Sequence, residues 1–233
     1  NMLQLLKSNQ PLGSDDDSGT AYIYRDGLES AMDSEDSARH FTMALAGRAK
    51  NVAPLLAAAV PMQQSRRLLD VGGGTGIYTY AMLQKYPHLE AIVVDREEVL
   101  KIAAELAREY EVSERVQLIS GDMFTDELPT ECDVILLSNV LHDWDIPQCQ
   151  HLIDRCAEVL QPGNRLLIHD VFLNDEMDGP LPIALYSAAL FSLTEGRAYS
   201  AAEYRSWLRA SGLEAGEIAP TLVHCGVLTA EKA

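Results

Sequence analysis

Short apolar runs alternate along most of the chain with longer stretches in which apolar residues recur at helical spacing. The strand-like runs are rich in Val, Ile and Leu and cover Arg67–Val71, Glu90–Val94, Val116–Ser120, Asp133–Ser138 and Arg165–Asp170. Helical patterns lie between most of them, at Tyr78–Tyr86, Glu97–Tyr110 and Pro147–Leu160. Continuous apolar strands are typical of sheets covered on both faces, and their alternation with helices is typical of parallel sheets. The pattern therefore predicts an α/β fold with a doubly wound, mostly parallel sheet.

The two ends of the chain depart from this alternation. Residues 1–38 are predicted to be an irregular segment, because Gly, Ser and Asp are frequent there, and residues 39–233 to form the main domain. A helical pattern covers His40–Val60 and contains Pro54, which is expected to break or kink the helix. After the fifth strand, the pattern predicts a polar loop, helices at 181–193 and 201–211, and strands at 213–219 and 221–230.

Composition narrows the class of protein. The chain has 233 residues, 47% of them hydrophobic, which is enough for one sizeable core. Neither a signal peptide nor the run of about 20 apolar residues that a membrane span needs is visible. The net charge of −17 repels nucleic acid and anionic lipid, so neither is an expected partner. The cysteines lack CxxC spacing, and Cys149 and Cys156 fall on an apolar helical stripe, which favours a reduced, cytoplasmic protein.

The first strand ends in a cluster of glycines. The stretch "LLDVGGGTG" (68–76) brings Gly72, Gly74 and Gly76 directly after the apolar run. Glycine inside regular structure costs roughly 0.5–1 kcal/mol relative to alanine, so a turn or a ligand is expected here. In doubly wound sheets, ligands bind beyond the carboxyl ends of the strands, and an acid about 20 residues later binds ribose hydroxyls. Asp95 ends the second strand at that spacing. A tight turn without a ligand is the alternative.

The residues next to the glycines indicate which ligand is expected. Asp70 stands immediately before them, where a carboxylate suits a cationic group better than a pyrophosphate. Ile77 replaces the third glycine of the usual dinucleotide motif, which makes an NAD-dependent oxidoreductase a weaker hypothesis. An adenosine with a cationic 5′ substituent fits both observations. S-adenosylmethionine has this chemistry.

Three motifs carry a resemblance to a known family. "LLDVGGGTG" with Asp95, "GDMF" at 121–124 and "LSNVLHDWD" at 137–145 make the chain similar to class I S-adenosylmethionine-dependent O-methyltransferases of small molecules. This family includes plant phenolic and acetylserotonin enzymes and bacterial polyketide and antibiotic enzymes. The resemblance runs from about His40 to the C-terminus. It implies a Rossmann-like, seven-stranded, mostly parallel sheet with a C-terminal antiparallel hairpin.

The resemblance also implies the reaction and the partners. The methyl donor would be S-adenosylmethionine, the product S-adenosylhomocysteine, and the acceptor a small hydroxylated molecule, aromatic or polyketide-like. Relatives usually have a dimerising N-terminal region, so residues 1–38 are interpreted as its remnant and a homodimer is allowed. Asn1 before Met2 suggests an expression remnant.

The same resemblance implies a set of cofactor-binding residues. The Gly72–Gly76 loop would wrap the methionine portion, and Asp95 would bind the ribose. The other members of the predicted cofactor site are Asp70, Asp122, Met123, Ser138 and Trp144. Asp122 would bind the exocyclic amine of adenine, while Met123 and Trp144 would pack against its ring. From the residues alone, Met123 could equally fill the core and Asp122 could cap a helix or form a turn.

His142 in "SNVLHDWD" is the predicted general base, because it matches the family's catalytic histidine and imidazole titrates near neutral pH. Asp170 matches the acid that orients this histidine. The family's second orienting acid is missing, since Ala198 stands at its position and Glu195 lies three residues earlier. The alternative for His142 is a structural, helix-capping role. Strand alternation directs His169 to the opposite face from Asp170, as a core or buried polar residue.

The predicted acceptor pocket combines residues from three parts of the chain. Its members are Phe41, Met43, Asn139, Tyr186, Leu190 and Phe191, each of which could instead belong to the core. Histidine near carboxylates also permits a Mn, Fe or Zn site, but further ligands at a characteristic spacing are missing, so no metal is expected. Two alternatives keep the cofactor and change the function: chemistry other than methyl transfer, suggested by Ala198, and a regulatory binding module.

Overall fold

The predicted alternation of strands and helices is present in the structure, a computed structural model that describes residues 35–191 and 193–233. Most of the predicted irregular segment, residues 1–34, lies outside the described residues. The helices are α1 (Glu35–Ala59), α2 (Ile77–Lys85), α3 (Glu97–Glu109), α4 (Ile146–Val159), α5 (Leu181–Leu190) and α6 (Ala201–Ala210). The strands are β1 (Arg67–Val71), β2 (Glu90–Asp95), β3 (Val116–Ser120), β4 (Val134–Ser138), β5 (Arg165–Leu173), β6 (Tyr199–Ser200), β7 (Leu213–Pro220) and β8 (Cys225–Lys232).

The main sheet has the strand order β3-β2-β1-β4-β5-β8-β7, and β6 pairs with β5 outside this path. Strands β1 to β5 are parallel, while β8 runs antiparallel to both β5 and β7. This confirms the predicted fold, including the C-terminal antiparallel hairpin. The direction of winding changes between β1 and β4. In such a sheet, the crevice beyond the carboxyl ends of these two strands is the place where a ligand binds.

Both faces of the sheet are buried, which explains the continuous apolar strands. Leu69 and Leu166 belong to the core on one face, where α4 and α6 pack. Their neighbours Leu68 and Leu167 belong to the core on the other face, where α1, α2 and α3 pack. Side chains alternate between the faces of a strand, so each strand needs apolar residues at consecutive positions.

Several helix and strand ends differ from the predicted ones; strand β8, for example, begins at Cys225 instead of position 221. Helix α1 begins at Glu35 instead of His40 and runs through Pro54, so the proline does not break the helix. Its buried residues on either side of the proline, including Val52, Ala53 and Leu56, hold the helix by packing. Strand β5 extends three residues past Asp170, and α5 ends three residues before position 193. Strand β6 has two residues, which is too short for a sequence pattern.

All four cysteines are free and buried, and Cys149 and Cys156 lie in the core as predicted. Among the helices of the described residues, none combines the length and the apolar character that crossing a membrane requires.

Candidate active site

The glycine loop follows β1 and leads into α2. Gly72, Gly74 and Gly76 have φ angles of 67°, 57° and 73°, a region that side chains with a Cβ rarely adopt. Gly73 was not singled out in the sequence. It packs tightly against β2, because a Cβ there would lie 2.6 Å from Val93 Cγ1. At Gly74, a Cβ would meet no described atom within 4 Å. The loop therefore lies close to its own strands and has open space beside Gly74.

Asp95 at the end of β2 is bonded to this loop. Its Oδ2 accepts a hydrogen bond from the Gly74 N–H at 2.8 Å, and its Oδ1 accepts one from the Arg96 N–H at 2.7 Å. Burial raises the pKa of Asp95, and the two N–H donors oppose that change. Each carboxylate oxygen retains a second lone pair. Asp95 therefore holds the loop in place and can still accept hydrogen bonds from hydroxyls.

Asp70 is a buried carboxylate next to the glycines, with 1% of its surface exposed. Its Oδ2 accepts a hydrogen bond from the Thr79 hydroxyl at 2.7 Å. Its Oδ1 is buried and has no hydrogen-bond partner among the described residues. Burial and the charge of Asp95 raise the pKa of Asp70 to about 7, against the Thr79 hydrogen bond. A cationic group bound here would stabilise the charged form of Asp70.

The "GDMF" segment lies against the same loop. The Met123 Sδ lies 3.5 Å from the place of a Cβ on Gly72, so Met123 lies next to the glycine loop. Asp122 is exposed, and its Oδ1 accepts a hydrogen bond from the Phe124 N–H at 2.7 Å, the turn that was its alternative interpretation. The Trp144 and Phe124 rings pack edge to face, with centroids 4.5 Å apart. Phe124 was not predicted, although it belongs to the motif.

Ser138 differs from the other predicted cofactor residues. Its Oγ lies 2.8 Å from His169 Nδ1 and accepts a hydrogen bond from Asn139 Nδ2 at 3.1 Å. The His169 Nε2 lies 3.2 Å from the Thr221 hydroxyl. Burial lowers the pKa of His169 to about 4, so this ring is neutral at physiological pH. The Ser138 hydroxyl thus belongs to a buried polar network, and His169 is a buried polar residue, one of the two alternatives predicted.

His142 and Asp170 form a buried pair. The His142 Nδ1 lies 2.6 Å from Asp170 Oδ1, and the two residues are 4% and 1% exposed. The same oxygen accepts a hydrogen bond from the Val171 N–H at 2.8 Å, which fixes the carboxylate. Burial opposes the imidazolium, but the charges of Asp170 and Asp143 outweigh it and raise the pKa of His142 to about 9. The Nδ1 atom thus donates to Asp170.

The other ring nitrogen, His142 Nε2, faces the predicted acceptor side. It lies 3.3 Å from the Tyr186 hydroxyl and 3.7 Å from Asp143 Oδ1. Burial raises the pKa of Asp143 to about 6, while the nearby His142 lowers it. The Nε2 atom is therefore the position from which this histidine can take a proton from another molecule.

The turn that carries His142 is held by residues that the sequence did not reveal. The Cys149 thiol donates to the Leu141 carbonyl at 3.0 Å, and the Tyr199 hydroxyl donates to the Trp144 carbonyl at 2.6 Å. At Gly196, a Cβ would lie 2.3 Å from the His142 carbonyl oxygen. Two backbones approach each other closely at this point, which was visible in the sequence only as a glycine in "EGRAYS".

The position of the missing second acid is apolar. Ala198 is fully buried in a cluster with Val52, Val171 and Ile183. The nearby Glu195 bonds through its backbone N–H to the Asp143 carbonyl at 3.3 Å. A carboxylate at position 198 would be buried among these apolar side chains. The segment therefore positions the His142 turn by backbone contacts instead.

The predicted acceptor residues lie on α1, directly after β4, and on or at the end of α5. Asn139 has a φ of 55° and donates from Nδ2 to the Tyr78 hydroxyl at 3.3 Å. Arg48, which was not predicted, lies with its Cζ 5.7 Å from the centre of the Tyr186 ring. The remaining predicted residues are Leu190, which is buried, Phe191, which is half-buried, Met43, which is 43% exposed, and Phe41, which lies in α1 but whose side chain is outside the described part.

Within residues 35–191 and 193–233, no three His, Cys, Asp or Glu side chains come together in an arrangement that could hold a metal ion.

Comparison with known proteins assigns the chain to a family. Residues 19–214 match the O-methyltransferase domain. The chain is 38% identical to the 3-hydroxy-5-methyl-1-naphthoate 3-O-methyltransferase of Streptomyces sahachiroi over 67% of its own length and 46% of the relative's. It is 35% identical to the acetylserotonin O-methyltransferase of Bos taurus over 77% of its own length and 51% of the relative's. The chain thus spans about half the length of these curated relatives.

A solved structure is also similar. It is an O-methyltransferase family 2 protein from Planctomyces limnophilus in complex with apigenin, with a TM-score of 0.83 and 55% sequence identity. The match covers 85% of this chain and 62% of that one.

Proposed function

Since the chain belongs to the O-methyltransferase domain family, we propose that it transfers a methyl group from S-adenosylmethionine to a hydroxyl of a small aromatic or polyketide-like molecule. The observation that carries this proposal is the buried His142–Asp170 pair, because it lies at the edge of the sheet that also holds the glycine loop. The names of the naphthoate and acetylserotonin relatives support an aromatic acceptor.

The residues around the glycine loop fit the proposed cofactor. The open space at Gly74 leaves room beside the backbone, and Asp95 can accept hydrogen bonds from a ribose. The unpartnered Asp70 Oδ1 suits an ammonium group, and Met123 and Trp144 offer apolar surface to a purine. When bound, S-adenosylmethionine supplies a methyl group on a positively charged sulfur, which departs as the neutral thioether of S-adenosylhomocysteine.

His142 would act as the general base. Its Nδ1–H bond to Asp170 fixes the tautomer, so that Nε2 takes the proton of the acceptor hydroxyl. Asp170 then stabilises the imidazolium. A general base must be neutral before it accepts a proton. A nearby positive charge favours the neutral imidazole, because it disfavours the charged form. Arg48 already acts in this direction, since its charge lowers the pKa of His142. Gly196 and Tyr199 would keep the His142 turn in place.

The test is His142→Ala, assayed by release of S-adenosylhomocysteine and by mass spectrometry of the product with a panel of hydroxylated aromatics. General-base catalysis contributes about 10²–10⁴-fold, so turnover should fall by that factor while calorimetry shows unchanged cofactor binding. A matched control is His224→Asn, which changes an exposed histidine with a φ of 62° to a residue that tolerates this φ.

Three results would contradict the proposal. Full turnover in His142→Ala would show that His142 is not the general base. A product mass gain other than one methyl group would favour different chemistry. Cofactor binding without methylation of any acceptor would favour the regulatory alternative. The cytoplasmic location and the homodimer stay predictions from the sequence.

A further inference from the structure

Arg48 on α1 is a half-buried cation without an acidic partner among the described residues. The chain has 35 acidic residues against 18 lysines and arginines. On the same helix, Arg39 pairs with Glu105 and Lys50 pairs with Glu109. No described carboxylate lies within the 4.0 Å of an ion pair from Arg48. In the described part of the chain, Arg115 and Lys85 also lack an ion pair, but each donates to backbone carbonyls, which Arg48 does not.

The contacts that Arg48 does make are with neutral groups. Its Nη2 donates to the Cys225 sulfur at 2.7 Å, and a thiol is a weak acceptor. Its Cζ lies 5.7 Å from the centre of the Tyr186 ring, within the range of a cation–π contact. A guanidinium has five N–H donors in a planar fork. These two neighbours leave most of the donors, and the charge itself, available to an anion.

Arg48 and the proposed base meet at one side chain. The His142 and Tyr186 ring centroids are 5.6 Å apart, and the Tyr186 hydroxyl lies 3.3 Å from His142 Nε2. Tyr186 therefore contacts the guanidinium and the imidazole together. Tyr186 also packs with Tyr78 against the buried cluster of Val52 and Ile183, which offers apolar surface to a ring.

We propose that Arg48 binds a carboxylate of the acceptor, so that the preferred acceptor is an aromatic hydroxy acid. This inference rests on the proposed methyl transfer and specifies its substrate class. The guanidinium pairs with the carboxylate through two parallel N–H···O bonds, the usual geometry of arginine with a planar anion. The aromatic ring lies against Tyr186, and the hydroxyl reaches His142 Nε2. A neutral acceptor would leave this half-buried cation without a counterion.

The experiment compares 3-hydroxy-1-naphthoic acid with its methyl ester, two probes that differ in one charge. Calorimetry on the protein saturated with S-adenosylhomocysteine measures the dissociation constant of each probe. Arg48→Gln should weaken binding of the acid about 10- to 100-fold, the range of a hydrogen-bonded charged group, and change binding of the ester less than about threefold. Lys50→Gln removes the same charge from an exposed site of α1 and should change neither.

The outcomes separate the two proposals. Equal affinity of the wild-type protein for acid and ester would overturn the anion site, as would equal weakening of both probes in Arg48→Gln. Should Arg48→Gln not fold, Arg48→Lys replaces it: a weaker or lost preference for the acid, with ester binding unchanged, supports the site, and an undiminished preference overturns the paired geometry. Methyl transfer to the ester without a preference for the acid overturns only this inference. An Arg48-dependent preference in binding, with no probe methylated, supports the anion site and contradicts the transferase.

Discussion

Replacing Asp170 with Asn removes the negative charge beside His142 and keeps an oxygen that can accept the Nδ1 proton. In the wild-type protein, burial disfavours the imidazolium, yet the carboxylates of Asp170 and Asp143 raise the pKa of His142 from 6.5 to about 9. One pKa unit corresponds to about 1.4 kcal/mol, so the shift stabilises the folded protein by on the order of 3 kcal/mol when His142 is protonated.

The sign of this contribution follows from the direction of the shift. A histidine with a raised pKa stabilises the fold fully below its ordinary pKa of 6.5, and this stabilisation is lost as the pH rises through about 9. In Asp170→Asn, burial outweighs the remaining charge of Asp143, so we expect the pKa of His142 to fall to its ordinary value or below. The pH-dependent stabilisation between these values should then disappear.

Two measurements check this expectation. Urea unfolding of the cofactor-free protein from about pH 6 to about pH 10 gives the free energy of unfolding at each pH for both proteins. The difference between their slopes reports His142 together with its neighbour Asp143, whose pKa of about 6 also depends on Asp170. Titration of the imidazole by NMR, with His142→Gln to assign its signal, gives the pKa directly. Parallel slopes, or a His142 signal that titrates equally in both proteins, would refute the reasoning.

Two further substitutions test the cofactor side and the support of the base. Burial raises the pKa of Asp70 from 3.8 to about 7, so the folded protein favours the neutral carboxyl. About 4 kcal/mol of folding stability, fully present below pH 3.8, is therefore lost as the pH rises through 7. Asp70→Asn should therefore raise the melting temperature of the cofactor-free protein at pH 8, and an unchanged melting temperature would contradict this. In calorimetry, the same variant should bind S-adenosylmethionine more weakly. Gly196→Ala would place a Cβ 2.3 Å from the His142 carbonyl oxygen and so displace the His142 turn. Turnover should fall at least about tenfold with cofactor binding intact. Turnover equal to that of the wild-type protein would show that catalysis tolerates this displacement.

Local pattern predicted the glycine loop well, because the information lies in neighbouring residues. A buried strand followed by several glycines must turn, and three of them adopt the left-handed φ that glycine allows. Asp95 was found by its spacing, and the structure bonds it to Gly74. Pro54 shows the limit of such rules: its local preference ends a helix, but burial of its neighbours in α1 overrides that preference.

The sequence by itself determined the order of strands and helices, the loop at the end of β1 and the position of His142 beyond β4. Periodicity and turn residues encode these features locally, since they record which face of each segment is buried. Only the tertiary structure decided which side chains meet. The parallel register of β4 and β5 brings His142 to Asp170, and the packing of α1 brings Arg48 to Tyr186 and Cys225. The approach of Gly196 to the His142 turn likewise joins segments far apart in the chain. Such contacts depend on how whole elements pack. A local sequence pattern does not indicate which distant residue a side chain will contact.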